Sequence, residues 1–238
     1  MSAVVVDNYK RLGILTRRNT DGIEFEMVKD FINFRRKIYK EKLDRSLAIF
    51  LEPKINNAYP DIILVEYDPS SYKIWDKART QLELFDLKVL NHIYRHNKVS
   101  SSALITELSI CYKDLLFSLE RLYDSGLLDR ADKKWIIDNR SFFGVKKIEA
   151  VEAKIGKWDD VFQQALVNKN FASKSFILTK RKSKPDDEIV SRFTEFGIGV
   201  YLFDDVKFIK ISEAKKNEFP INYISLYINE WIGRMINC

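Results

Sequence analysis

Apolar residues recur at helical spacing through Met27, Val28, Phe31, Ile32 and Phe34 to Ile38, which predicts an amphipathic helix. Asp21 stands three residues before Glu24, the spacing of an N-terminal capping box at the head of that helix. Residues 47–51 and 61–67 are short apolar runs separated by a connector with two prolines, so they predict a strand hairpin with Asp61 near the start of its second strand. After residue 148 the pattern alternates again: a strand, a helix from Asp159, a strand at 175–179, a helix at 185–196, and strands at 197–203 and 206–211. Such alternation predicts an α/β fold, a mixed sheet flanked by helices.

Between these parts lies a different pattern. Residues 82–95, 99–108 and 113–128 each have helical periodicity, Gly126 supplies a left-handed stop for the third helix, and residues 130–138 predict a hairpin. The tail, 221–236, carries Tyr223, Leu226, Tyr227, Trp231 and Ile232 at helical spacing, the stripe of a core helix or a dimer face. Residues 1–20 predict no more than an arm or a short strand.

Composition narrows the class. With 238 residues and 46% apolar side chains the chain can bury a substantial core, as one large domain or two small ones. No apolar run approaches the roughly 20 residues of a membrane span, and the first residues lack the pattern of a secretory signal, so a cytoplasmic protein without membrane attachment is expected. Cys111 and Cys238 have neither disulfide nor zinc spacing. His92 and His96 are four apart on a predicted helix, a metal-binding spacing, but no third ligand stands near them in sequence, so they are expected to be surface residues. The net charge of +6 is unevenly placed: residues 141–184 hold 10 basic and 4 acidic side chains, including the basic run from Lys180. That excess draws an anionic polymer toward the segment.

The chemistry concentrates at residues 148–158, where ionisable side chains interrupt an apolar strand. Burying charge is costly unless the charge has a partner or a purpose. Alternation puts Ala150, Glu152 and Lys154 on one side of the strand and Glu149, Val151 and Ala153 on the other. A carboxylate and an ammonium projecting together suit phosphodiester hydrolysis, the first holding a divalent cation and the second orienting water or stabilising charge on phosphorus. Asp61, preceded by Pro60, is the candidate second carboxylate; its commoner role would be a turn aspartate.

Pro60 and Asp61 followed by Glu152, Ala153 and Lys154 resemble the signature of the PD-(D/E)xK, restriction-endonuclease-like nucleases. The helix and strand after Lys154, and Gln163 and Gln164 on that helix, resemble the same core, over residues 20–80 and 141–210. The resemblance implies an Mg²⁺ or Mn²⁺ site made by Asp61, Glu152 and the Ala153 carbonyl, with Lys154 at the scissile phosphate. A glutamate on the first helix often joins this site in the family, making Glu24 a candidate and Glu26 a weaker one; the capping role is favoured for Glu24. Gln164, Lys157, Lys180, Arg181 and Lys182 would hold the nucleic acid.

The roughly ninety residues between Asp61 and Glu152 are more than many family members have, so an insertion is expected. The core is assigned to 1–79 and 141–238, and 80–140 to an inserted domain resembling a winged helix-turn-helix. Its third helix would offer Lys113 to DNA, but the segment is electrically neutral, with 9 basic and 9 acidic residues in 80–140. Leu116 and Phe117 point instead to a protein interface. Positioning DNA and packing against protein both remain open for it. The expectation is a metal-dependent DNA endonuclease of genome defence, restriction or repair, acting as a homodimer without a small-molecule cofactor. The alternatives are a nucleic-acid-binding regulator with an inactive nuclease fold, or a ribonuclease.

Overall fold

A computed structural model describes residues 3–17, 21–40, 42–56, 58–137, 143–180, 185–218 and 222–238. The chain folds as mixed α/β with two compact units, Met1–Asp68 with Val145–Ile221, and Pro69–Gly144 with Asn222–Cys238.

The first unit is built on a seven-stranded sheet. Its strands are β1 (Val4–Val5), β2 (Ser46–Leu51), β3 (Ile62–Tyr67), β6 (Val145–Ala153), β7 (Lys174–Lys180), β8 (Ile198–Phe203) and β9 (Phe208–Ser212), in that spatial order. The pairs β2/β3, β3/β6 and β8/β9 are antiparallel, whereas β1/β2, β6/β7 and β7/β8 are parallel. Parallel neighbours need a crossover, and α5 (Trp158–Asn168) and α6 (Asp187–Glu195) supply it. The opening residues, expected as an arm or a short strand, reach the sheet edge as β1.

Alternation along the strands gives this sheet two apolar faces. Val151, Ala153, Phe176 and Leu178 pack with Met27, Val28 and Phe31 of α1 (Ile23–Ile38). Ile177 and Val200 pack on the other face with Val161, Phe162 and Ala165 of α5 and Phe193 of α6. The expected capping box on α1 is absent. Its N-cap is Gly22, at φ 125°, without a side-chain cap, because the Glu24 carboxylate is engaged elsewhere.

The second unit contains α2 (Leu84–His96), α3 (Ser101–Leu108), α4 (Tyr112–Asp124), the hairpin β4 (Leu128–Ala131) and β5 (Lys134–Ile137), and α7 (Tyr223–Asn237). Asp132 and Lys133 both have positive φ (51° and 61°), the two-residue turn that suits a twisted hairpin. Val99 adds a bridge to Trp135, and the Asp86 carboxylate, fully buried, is held by Arg121 at 2.7 and 2.9 Å.

This unit is wider than the expected 80–140, because the tail belongs to it. Glu230 of α7 is 1% exposed and accepts from Arg79 Nη2 at 2.5 Å, Arg79 Nε at 2.9 Å and Trp75 Nε1 at 3.2 Å. The neighbouring Asn229 takes the Tyr72 hydroxyl and the Gly144 N–H. A buried carboxylate costs too much without such partners, so residues 69–79 and α7 assemble together. Trp231 is wholly buried, and Leu226 with the half-buried Tyr223 and Tyr227 packs into the core of this unit. Leu116 and Phe117 on α4 remain exposed, at 42% and 47%.

Candidate active site

Antiparallel register brings the two motif carboxylates together across ninety residues of sequence. Ile62 pairs with Val151 and Ile63 with Ala150, so the next step along the ladder sets Asp61 opposite Glu152. Opposed residues share a face. The Asp61 carboxylate accepts the Ala153 N–H at 2.7 Å, which anchors it at the end of β6. In an extended strand a residue's N–H and C=O leave on the same side, so the Ala153 carbonyl also faces the β3 edge.

Glu152 is 4% exposed; Asn168 Nδ2 of α5 donates to it at 2.6 Å, and its carboxyl also meets that of Asp61 in a side-chain hydrogen bond. Burial pushes its pKa up to about 8, helped by repulsion from the Asp61 carboxylate; the Asn168 bond opposes the rise. Asp61 is raised to about 6, again mainly by burial, against the Ala153 hydrogen bond. Each carboxyl therefore holds a proton more strongly because it is desolvated and faces another acid.

Lys154 lies just beyond β6, with its N–H on the Leu178 carbonyl of β7. Its ammonium reaches Glu24 Oε2 at 3.0 Å, and Glu24 Oε1 accepts the Ile155 N–H at 3.0 Å. Glu24 thus clamps the segment that carries Lys154, which corrects the capping role expected for it. Glu26 pairs with Lys29 on the exposed side of α1, away from this cluster.

Both sheet faces end here, around a pocket of about 110 Å³ lined by Arg17, Glu24, Glu52, Asp61, Glu152 and Lys154, among others. The clustering of five carboxylates, Asp21 among them, with an arginine and a lysine makes the pocket polar. Gln164 of α5 lines it too, and a neighbouring hollow of about 260 Å³ runs past Tyr59, Gln163 and Val167.

The other residues expected to hold nucleic acid are not gathered at this pocket. Lys157, at φ 54°, caps α5 and borders a separate hollow with Trp158 and Arg192. Lys180 ends β7, 3.5 Å from Asp205 and over the Phe203 ring. Arg181 and Lys182 lie outside the described residues. Lys113 belongs to the second unit, on the first turn of α4 over Phe117.

Sequence reasoning overlooked Arg17, Glu52 and Asn168. Glu52 was legible in principle, because the β2/β3 hairpin pairs Leu51 with Ile62 and so sets Glu52 opposite Asp61; its N–H donates to the Asp61 carbonyl at 3.0 Å. Asn168 is four residues beyond Gln164, on the same helical face. Arg17 enters from a segment without periodicity and gave no signal.

The described residues contain no helix long and apolar enough to cross a membrane. Compared with known proteins, the chain matches no family model, no curated protein and no solved structure significantly.

Proposed function

We propose that the chain is a metal-dependent hydrolase of DNA phosphodiester bonds, with a core of PD-(D/E)xK type and the second unit as a winged-helix insertion. The observation that carries the proposal is the meeting of Asp61 and Glu152 in one polar pocket beside Lys154. Two desolvated carboxylates that repel each other form a donor set suited to a hard divalent cation. Asp61, Glu152 and the Ala153 carbonyl would hold Mg²⁺ or Mn²⁺, which would supply positive charge against the charge that builds on a phosphate under attack.

The chain's own groups have separable tasks. Asn168 orients Glu152, and the Ala153 N–H orients Asp61. Glu24 is a positioning residue: it holds Lys154 at the pocket's edge, where the ammonium can orient the attacking water or meet the phosphate. Gln164 offers an amide to the nucleic-acid backbone. The second unit supports the winged-helix proposal through its three helices, its hairpin and the Val99 bridge. The exposed Leu116 and Phe117 of α4 suit a homodimer contact there.

Purified protein incubated with Mg²⁺ or Mn²⁺ and duplex, single-stranded and RNA substrates tests the proposal. Cleavage of DNA that is lost in Glu152→Gln and in Lys154→Ala, with the fold retained, is expected. RNA cleavage with the same residue dependence would make the chain a ribonuclease. Binding without cleavage would leave the inactive regulator.

A further inference from the structure

The second unit holds a cluster of metal-ligating side chains with no part in the pocket described above. His92 and His96 occupy successive turns of α2, their rings stacked at 4.2 Å between centroids. Glu107 reaches across from α3, its Oε2 2.6 Å from His92 Nε2. One donor atom from each of the three lies within 4.8 Å of the others, which corrects the expectation that the histidines lack a third ligand. The sequence hid it because Glu107 lies on the next helix.

Two further features suit a ligand set. His96 Nδ1 stands 2.9 Å from the His92 backbone carbonyl, which can only accept, so Nδ1 carries a hydrogen and the neutral ring offers its lone pair at Nε2. Ligating histidines ordinarily donate their second ring N–H to a carbonyl or carboxylate in this way, which fixes tautomer and ring orientation. The spacing also fits. Tetrahedral zinc, with bonds of about 2.0–2.1 Å to nitrogen, sets its donors a little over 3 Å apart, so the observed trio needs side-chain adjustments of only about 1.5 Å. Two imidazoles and one carboxylate favour zinc and its neighbours over magnesium or calcium, which prefer all-oxygen shells.

We propose that His92, His96 and Glu107 form a binding site for a zinc-class transition-metal ion, which ties α2 to α3 and keeps a coordination position open to solvent. His96 and Glu107 are exposed, so an ion can enter and an external donor can complete its shell. This proposal does not depend on the nuclease assignment.

The full chain, stripped with a chelator and titrated with Co²⁺ and then Zn²⁺, provides the test. One Co²⁺ per chain is expected to develop visible d–d absorption, and Zn²⁺ to displace it. Glu152→Gln should leave the signal intact, which separates this site from the carboxylates of the first unit. His96→Ala and Glu107→Gln should weaken binding at least about tenfold, with far-ultraviolet circular dichroism confirming the fold. Should His96→Ala fold poorly, Glu107→Gln, which keeps side-chain shape at an exposed position, carries the test. No cobalt spectrum in the wild type, or one of equal affinity in Glu107→Gln, overturns the proposal.

Discussion

Glu149 and Glu152 stand three residues apart on β6, both almost fully buried, and their surroundings are opposite in kind. Glu149 faces α1, where Arg35 meets it at 2.6 Å and Lys147 at 3.0 Å, and Lys147 also contacts Glu66. Those cations outweigh the cost of burial and hold its pKa below the usual carboxylate value. Glu152 faces α5 and has no lysine or arginine bonded to it among the described residues, so burial, helped by the acid it confronts, pushes its pKa up. A buried charge neutralised by the chain itself is explained by the fold. A buried carboxyl that the chain leaves without a cation holds its proton instead and, lining a pocket, marks a place where an external cation has something to contribute.

The sharpest way to break that comparison is kinetic. Glu152→Gln should lower cleavage by a factor of about 10²–10³ or more, as loss of a group acting on transition-state charge does. Glu149→Gln, measured at a temperature where it is folded, should leave the rate within a few-fold. Equal losses in both would mean that Glu152 is as structural as Glu149.

Stability should rank the pair the other way. Glu149→Ala leaves Arg35 buried without its partner and is expected to cost about 3–5 kcal/mol in denaturant unfolding. Glu152→Gln removes a repelled carboxyl and should be neutral or stabilising in the metal-free protein. A large loss there would show that the Asn168 contact outweighs the repulsion.

The pH dependence should carry opposite signs. Glu149 has a lowered folded pKa, so its contribution is present above the unfolded value of about 4.5 and is lost as pH falls through the folded value. Glu152 has a raised one, so its protonated form is favoured by folding below about 4.5, and this contribution disappears as pH rises to about 8. Melting temperature in a chelator should therefore decline between those limits, by the equivalent of a few kcal/mol at most, and the decline should flatten in Glu152→Gln. Added Mg²⁺ or Mn²⁺ should raise the wild-type melting temperature more at pH 8 than at pH 5, because protons compete for the same oxygens. No pH dependence of the metal effect would sink the proposed ligand set.

The smallest effect concerns the basic strip. Replacing Lys180, Arg181 and Lys182 with alanine should weaken DNA binding and reduce the salt slope by no more than about one unit for each phosphate contact removed. Lys180 should contribute least, since it already has Asp205 and Phe203 beside it. A salt slope left unchanged would remove this strip from the binding path.

Local pattern determined much of this protein. Strand alternation and helical periodicity mark β2, β3, β6, β7, β8 and every long helix to within a few residues, because solvent sorts apolar from polar side chains at each element's own period. The mixed α/β class follows from their order, and Asp61, Glu152 and Lys154 were legible as a motif. Tertiary structure alone decided where these elements meet. Whether Asp61 opposes Glu152 rests on a β3/β6 register set across some ninety residues, and whether Glu24 caps its helix or clamps Lys154 rests on how α1 docks against β6. The assignment of α7 to the second unit likewise rests on Glu230 finding Arg79, and Glu107 joins the two histidines only once α3 packs beside α2. Periodicity records each segment's exposure to water, whereas partners distant in sequence are selected by packing and by the cost of leaving buried charges alone, terms that belong to pairs of segments and to neither one separately.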